Sequence, residues 1–255
     1  MSCESEVSVI TAAYNSASVI ERNIRSVGAQ SLQPKEHIII DDGSVDDTAS
    51  IAEALRHEFP HLRIIRQANG GAAKARNAGI AAATSRFVAF LDSDDVWSEQ
   101  KLETQIGFMA ANDVLFSYGD YYAVDATGAV LGCHEAPQQL TYSNLLRGCP
   151  IGCLTVAFDQ VALGKRFMPE VRRGQDWGFW LALTRDGTVA QRYPGCHAYY
   201  HRADDSLSSA KFSKVADIYR IYREQERLGP VQALYYLFPH VFGALTKRPI
   251  TDNDQ

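Results

Sequence analysis

The residues best suited to chemistry lie where apolar runs end in carboxylates. Phe87-Val88-Ala89-Phe90-Leu91 has no polar interruption and stops at Asp92-Ser93-Asp94-Asp95. Asp92 and Asp94 have one residue between them, so two carboxylates can converge at the mouth of a crevice. Oxygen donors of this kind suit a hard divalent cation, which shares its ligands with substrate phosphates. Clustered negative charges also repel one another unless a cation compensates them. A second apolar run, His37-Ile38-Ile39-Ile40, ends in Asp41-Asp42-Gly43-Ser44, and the first, Val7 to Ala13, ends in Tyr14-Asn15-Ser16.

Short apolar runs bounded by turns read as strands of a buried parallel sheet. Between them lie helix patterns. Val19, Ile20, Ile24 and Val27 share one apolar face, with Ser16 or Ser18 as the cap. Asp46-Asp47 open a second helix with Ile51, Ala54 and Leu55 turned inward. Leu62–Ile65 is a third strand, and Ala72–Ala83 an alanine-rich helix carrying Lys74, Arg76 and Asn77. This alternation predicts an α/β chain with a parallel sheet, whose ligands bind outside the carboxyl ends of the strands. Thr11 to Asn15, Asp41-Asp42 and Asp92 to Asp95 all fall at those ends. No G-x-G-x-x-G follows the first strand, which argues against a dinucleotide-dependent dehydrogenase.

Further on, the patterns predict a helix over 99–110, strands over 114–124 and 129–131 around a turn at 125–128, and a short helix at 142–146. A strand at 154–158, a helix after Asp176, a strand over 189–200 and a helix over 211–228, ended by Gly229-Pro230, follow. The stretch 230–248 is dense in Leu, Tyr and Phe and ends in Lys247-Arg248, with Pro239 expected to interrupt it. It either packs on the domain or lies in a membrane interface, anchored by aromatic and basic residues.

The 255 residues are 46% hydrophobic and 22% charged, an ordinary globular balance. The net charge of −5 and the lack of a basic stripe argue against nucleic acid as a partner. No basic leader precedes the first apolar run and no window approaches the ~18 apolar residues of a span, so a cytoplasmic location is expected. The tail adds the option of peripheral contact with the inner face of the membrane. Cys3, Cys133, Cys149, Cys153 and Cys196 form no CxxC pair and read as buried free thiols rather than a zinc site.

Taken in order, Tyr14-Asn15, Asp41-Asp42-Gly43-Ser44, the run GAAKARNAG from Gly71 to Gly79, Leu91-Asp92-Ser93-Asp94-Asp95 and Gln175-Asp176-Trp177 resemble the family 2 glycosyltransferases. Met168 to Trp177 resembles the branch of teichuronic-acid and other surface-polysaccharide transferases. The likeness covers about residues 6–210. It implies the GT-A fold, a Rossmann-like, mostly parallel sheet flanked by helices. Residues 1–210 would form the catalytic domain, with a nucleotide-binding half to about 125 and an acceptor half after it. Residues 211–255 would be a helical C-terminal extension. The implied activity is inverting transfer from a nucleotide-diphosphate sugar, commonly a UDP-sugar, to a saccharide or lipid-linked acceptor, with Mn2+ or Mg2+.

The same resemblance assigns roles. Thr11, Ala12 and Tyr14 would line base and ribose. Asp42, or Asp41, would accept the uracil N–H; strand alternation lets only one face the crevice, and both could instead serve the turn before Gly43. Arg76 would lie beside the diphosphate or pair with a neighbouring Asp, and Asn77 would steady the adjoining loop. Asp92 would meet the ribose or a metal-bound water, Asp94 would hold the metal, and Asp95 would cap the helix after Trp97. Asp176 would be the general base that takes the acceptor's proton; the alternative is a carboxylate serving its own helix start. Gln175 stands where many relatives carry Glu. Trp177 could stack on a sugar, whereas Trp180 reads as core. Arg202, with His201, Ser206 and Ser208, would close over the diphosphate; Arg172 and Arg173 would face acceptor, phosphate or solvent. Two rivals remain: a nucleotidyltransferase, which would show a Gly-rich basic loop where this chain has Ala13-Tyr14-Asn15-Ser16, and a non-catalytic sugar-nucleotide binding module.

Overall fold

A computed structural model of the chain describes residues 6–171, 173–201 and 211–246. Its first half is a parallel sheet of β1 (Val7–Ala13), β2 (Glu36–Asp41), β3 (Leu62–Arg66) and β4 (Phe87–Phe90). They lie in the order β3-β2-β1-β4, with Ala13 opposite Asp41 and Ile10 opposite Phe90. β2 is buried at every position and β1 at all but one, as strands covered on both faces require.

The crossovers are α1 (Ile20–Gly28), α2 (Thr48–Ala54) and α3 (Ala72–Ala82). α1 buries Ile20, Asn23, Ile24 and Val27. Its entry differs from expectation, because the Ser16 carbonyl accepts the N–H groups of Val19 and Ile20 while no side chain caps. In α2 Ala52 is buried and Ala54 exposed, and Leu55, just past its end, is buried. Asp46 is the carboxylate that serves its start, accepting from Thr48 N and Oγ1. α3 can lie close on β1 because position 79 is glycine; a Cβ there would stand 2.4 Å from Ile10 Cγ2.

The second half adds β5 (Val96–Trp97), α4 (Lys101–Ala111), β6 (Phe116–Val124), β7 (Val130–His134), β8 (Gln139–Leu140), α5 (Tyr142–Leu145), β9 (Ala157–Asp159), α6 (Gln160–Leu163), α7 (Gln175–Thr184) and β10 (Ala190–His201). β9 runs antiparallel between β4 and β6, and β10 runs parallel to β6. The full order is β3-β2-β1-β4-β9-β6-β10-β5, with β7 on β6 and β8 on β10. The result is a mixed α/β sheet with flanking helices.

Phe90 joins the two halves. Its ring lies 5.9 Å from Phe158, 6.1 Å from Phe179 and 6.1 Å from Trp180, all fully buried. The tip of β4 and the helix α7 are thus fixed by one aromatic cluster.

The last described residues form α8 (Lys211–Arg220), a π-helical turn over Ile221–Gln225, and α9 (Pro230–Thr246). The expected helix to 228 therefore stops early, and Pro230 opens the next one, where a fixed φ and a missing N–H are well tolerated. Pro239 does not end α9, which runs through it; a proline inside a helix removes one hydrogen bond without forcing the chain to stop. Ile218, Ile221, Tyr222 and Ala233 join the main core, so these helices pack on the sheet domain. Among the described residues no helix is long and apolar enough to cross a membrane.

Candidate active site

Past Phe90, the N–H of Leu91 still pairs with the Ile10 carbonyl before the chain turns. The turn Asp92–Asp95 is held from the α1 side. The Asn23 amide donates to the carbonyls of Asp92 (2.8 Å) and Asp95 (3.0 Å), and Arg22 donates to the Asp94 carbonyl at 2.8 Å. The Ser16 and Ser93 hydroxyls meet at 2.9 Å. No motif marked Arg22 or Asn23. The available signal was Asn23 itself, a polar residue among Ile20, Ile24 and Val27 on the apolar face of α1.

The Asp92 carboxylate pairs with Arg76 of α3, which is nearly buried. Burial alone would lower this guanidinium. Asp92 above all, with smaller contributions that include Asp176, raises it instead. Arg76 Nη1 is buried with no partner among the described residues. The exposed Asp94 has its carboxyl raised, by partial desolvation first and by Asp92 next. Asp95 is fully buried, and its carboxyl is pushed up to about 9 by that burial and then by Asp92 and Asp94. Its Oδ1 accepts the His201 N–H at 3.0 Å, and its Oδ2 is buried without a partner among the described residues. Asp95 therefore does not cap a helix as expected. It turns inward to hold the end of β10, and α4 starts six residues later, behind Gln100.

At the tip of β2 both carboxylates are engaged. Asp41, fully buried, accepts from Arg66 Nε and Ser44 N at 3.1 Å each and supports the turn. Asp42 Oδ1 accepts from Gln67 Nε2 (2.6 Å) and Gly70 N (2.9 Å), and its Oδ2 from Gly71 N (2.7 Å). It thereby fastens the loop that enters α3 and keeps about one lone-pair site free. Thr11 is buried, with its hydroxyl on His37 Nε2 (3.0 Å) and Asn23 Oδ1 (3.4 Å), so only its backbone is left to line a ligand. Ala12 is partly buried against the core, and Tyr14 is half exposed at the mouth.

Asp176 lies in the first turn of α7, behind Gly174 with φ 75°. Its carboxylate accepts no hydrogen bond among the described residues, and its charge reaches both Arg76 and Cys153. Cys153, nearly buried, also feels Asp92 and Asp95 and so lies beneath the carboxylates. Burial raises its thiol well above the usual range. Gln175 Oε1 is buried without a partner among the described residues. Trp177 is buried, with its indole N–H on the Leu145 carbonyl at 2.8 Å and its ring edge-on to Tyr222, so it is packing rather than an open sugar platform. Trp180 is fully buried core. Asn77 bonds twice to the Met168 backbone, at 2.9 and 2.7 Å, and Lys74 stands 3.6 Å from Glu170; together they tie α3 to the segment before α7.

His201 ends β10 with its Nδ1 buried and without a partner among the described residues. Burial, and then Arg22, lowers its pKa. Arg202, with Arg172, Ser206 and Ser208, lies outside the described residues, as does Cys3. Of the other four cysteines only Cys153 is buried, contrary to expectation; Cys133 and Cys149 are exposed and Cys196 is partly exposed. They sit on strands and loops at the rim, where no core covers them. Among the described residues no three His, Cys, Asp or Glu side chains form a ready metal cage. The carboxylates do suit a divalent cation in part, since Asp94 is accessible oxygen and the raised Asp94 and Asp95 carboxyls mark a cluster short of positive charge.

A family model, Glycosyl transferase family 2, matches residues 8–153. TuaG of Bacillus subtilis (strain 168), named for teichuronic acid biosynthesis, is 38% identical over 244 residues, 95% of this chain and 97% of its own. WfgD of Escherichia coli, named as a UDP-Glc:α-D-GlcNAc-diphosphoundecaprenol β-1,3-glucosyltransferase, is 34% identical over 249 residues, 94% of each chain. Among solved structures, S. aureus TarS 1-349 in complex with UDP-GlcNAc matches with a TM-score of 0.69 at 21% identity, over 91% of this chain and 70% of that one. That likeness is one of fold, the GT-A arrangement. The matched family region carries the tips of β1, β2 and β4, and the chain is a glycosyltransferase belonging to glycosyl transferase family 2.

Proposed function

We propose that this chain moves a sugar from a UDP-sugar to a saccharide on a lipid carrier, in cell-surface polysaccharide synthesis, by one inverting displacement. The observation that carries the reading is Arg76: a single buried cation is paired with Asp92 at the tip of β4 and within the field of Asp176 on α7. Donor-side and acceptor-side carboxylates thus share one crevice. Family membership sets the nucleotidyltransferase aside, and the reaction in WfgD's name supports the UDP donor and the lipid-diphosphate acceptor.

In this reading the Asp42 lone pair, the Tyr14 ring and the backbone of Thr11 and Ala12 receive the uridine. Arg76, and Arg202 beyond the described residues, face the diphosphate. Asp94, with Asp92 beside it, would hold Mn2+ or Mg2+, the diphosphate oxygens completing the ligand set. Such a cation, when bound, neutralises charge developing on the leaving UDP. Asp176 takes the proton from the acceptor hydroxyl while that oxygen attacks the anomeric carbon from the face opposite UDP. Asn77 and Gln175 support it from behind, and His201 steadies the floor through Asp95. Residues 1–210 form the catalytic unit and 211–255 an extension that brings it to the cytoplasmic face of the membrane.

A panel of nucleotide-diphosphate sugars, read as nucleotide release with a lipid-linked acceptor analogue, tests this. The expected result is acceptor-dependent release from a UDP-sugar, lost with a chelator and reduced at least about 100-fold in Asp94→Ala. Activity unchanged in Asp94→Ala overturns the metal assignment.

A further inference from the structure

α9 carries no Asp, Glu, Lys or Arg from Pro230 to Thr246. Its inner face is settled: Ala233 is fully buried, Tyr236 and Leu237 pack on the main core, and Tyr236 lies 6.2 Å from Tyr222. Its outer face is largely exposed among the described residues. Val231, Leu234, Tyr235 and Phe238 are 79, 58, 65 and 69% exposed, at positions i, i+3, i+4 and i+7 of one helical stripe. Single exposed apolar residues are ordinary, but four in one stripe mark an interaction surface. With Arg147 and Tyr236 they border an open groove of about 540 Å³. The Arg147 guanidinium stands 6.0 Å from the Tyr236 ring, and Lys247-Arg248 follow the helix in sequence.

We propose that this stripe, with Arg147 at its edge, is the surface on which the chain lies against an anionic lipid bilayer. Three features favour a bilayer over a protein. Aliphatic residues flanked by tyrosine, phenylalanine and basic side chains, with no acid among them, match the layered polarity of a membrane interface. The stripe offers on the order of 500 Å², below the roughly 800 Å² per partner of a stable protein interface. The net charge of −5 means that attraction to anionic lipid must come from local basic side chains, and Arg147 borders the apolar groove. The helix would lie flat, about 25 Å along the surface at 1.5 Å per residue, since its other face is committed to the core. Tyr222 touches both Tyr236 and Trp177, the neighbour of Asp176, so docking would turn the acceptor side of the crevice towards the membrane.

The proposal rests on the lipid-linked acceptor reading only for its purpose; vesicle binding is measured with neither donor nor acceptor, and turnover enters only as a control on the variants. The full-length protein is sedimented with vesicles of phosphatidylcholine alone and with phosphatidylglycerol added. Binding is expected to the anionic vesicles, at least about tenfold weaker in Leu234→Ser/Tyr235→Ser/Phe238→Ser and weaker again on loss of Arg147 (Arg147→Glu). Unchanged melting temperature and unchanged UDP release with a soluble acceptor analogue show that the variants fold and that the site is intact. No binding to anionic vesicles, or equal binding by the triple variant, overturns the proposal. So does a concentration-dependent dimer that the same variant abolishes, since the stripe would then be a self-interface.

Discussion

At Asn23 one amide holds both ends of the acidic turn, through the carbonyls of Asp92 and Asp95, and its oxygen faces Thr11. Leucine has a similar volume but would leave those buried carbonyls without donors. Asn23→Leu is expected to cost about 2 kcal/mol of stability, and calorimetry should show weaker UDP binding in the presence of Mn2+. Intact stability and affinity would mean that the turn holds itself. Asp92, Asp94 and Asp176 were legible because each follows an apolar run or opens an apolar helix, where a carboxylate must face outward. Asp95 was misread for the same reason. Its position suggested a cap, but the side chain turns inward to the His201 N–H, a contact 106 residues away that no local pattern encodes.

At the scale of elements, β1, β2 and β4 were readable because strands buried on both faces leave mostly apolar runs, whereas the edge strand β3 showed only as Leu62, Ile64 and Ile65 interspersed with two arginines. β5, β8 and α6 span two to four residues and carry too few side chains to show a period. They exist because longer neighbours pair or pack with them. β5 and β8 both lie on β10, and Trp97 in β5 reaches the Leu154 carbonyl with its indole N–H at 2.7 Å. The C-terminal helices were misdivided where prolines were read as stops: Pro230 instead begins a helix, and Pro239 lies within one. Gly79 and the Phe90–Phe158–Phe179–Trp180 cluster are tertiary requirements, visible in sequence only as a small residue in a helix and apolar residues in strands and α7.

At the scale of the whole molecule, two buried groups give stability opposite pH dependences. His37 is fully buried, and burial, with His61 nearby, lowers its pKa to about 3. Its unfolded value is about 6.5, so the unfolded chain binds the extra proton between those limits, and the His37 contribution falls as pH drops below about 6.5. Asp95, raised to about 9, titrates with the opposite sign: the folded chain binds its proton between about 4 and 9, and lower pH favours folding across that window. The two partly cancel, so the His37 part is read as a difference. Denaturant unfolding of wild type and His37→Gln is expected to show the gap between them shrinking by about 2 kcal/mol from pH 7 to pH 5. A gap constant with pH would mean that His37 is charged or solvated when folded. The proposed transfer depends on the same assembly, since the aromatic core packs the end of β4 against α7. The most direct test is Asp176→Asn, assayed at once for UDP-sugar binding and for transfer. Binding is expected within about twofold of wild type, with kcat lowered by about 10²–10⁴. Transfer at the wild-type rate would rule out Asp176 as the base, because the acceptor's proton would then be leaving by another group.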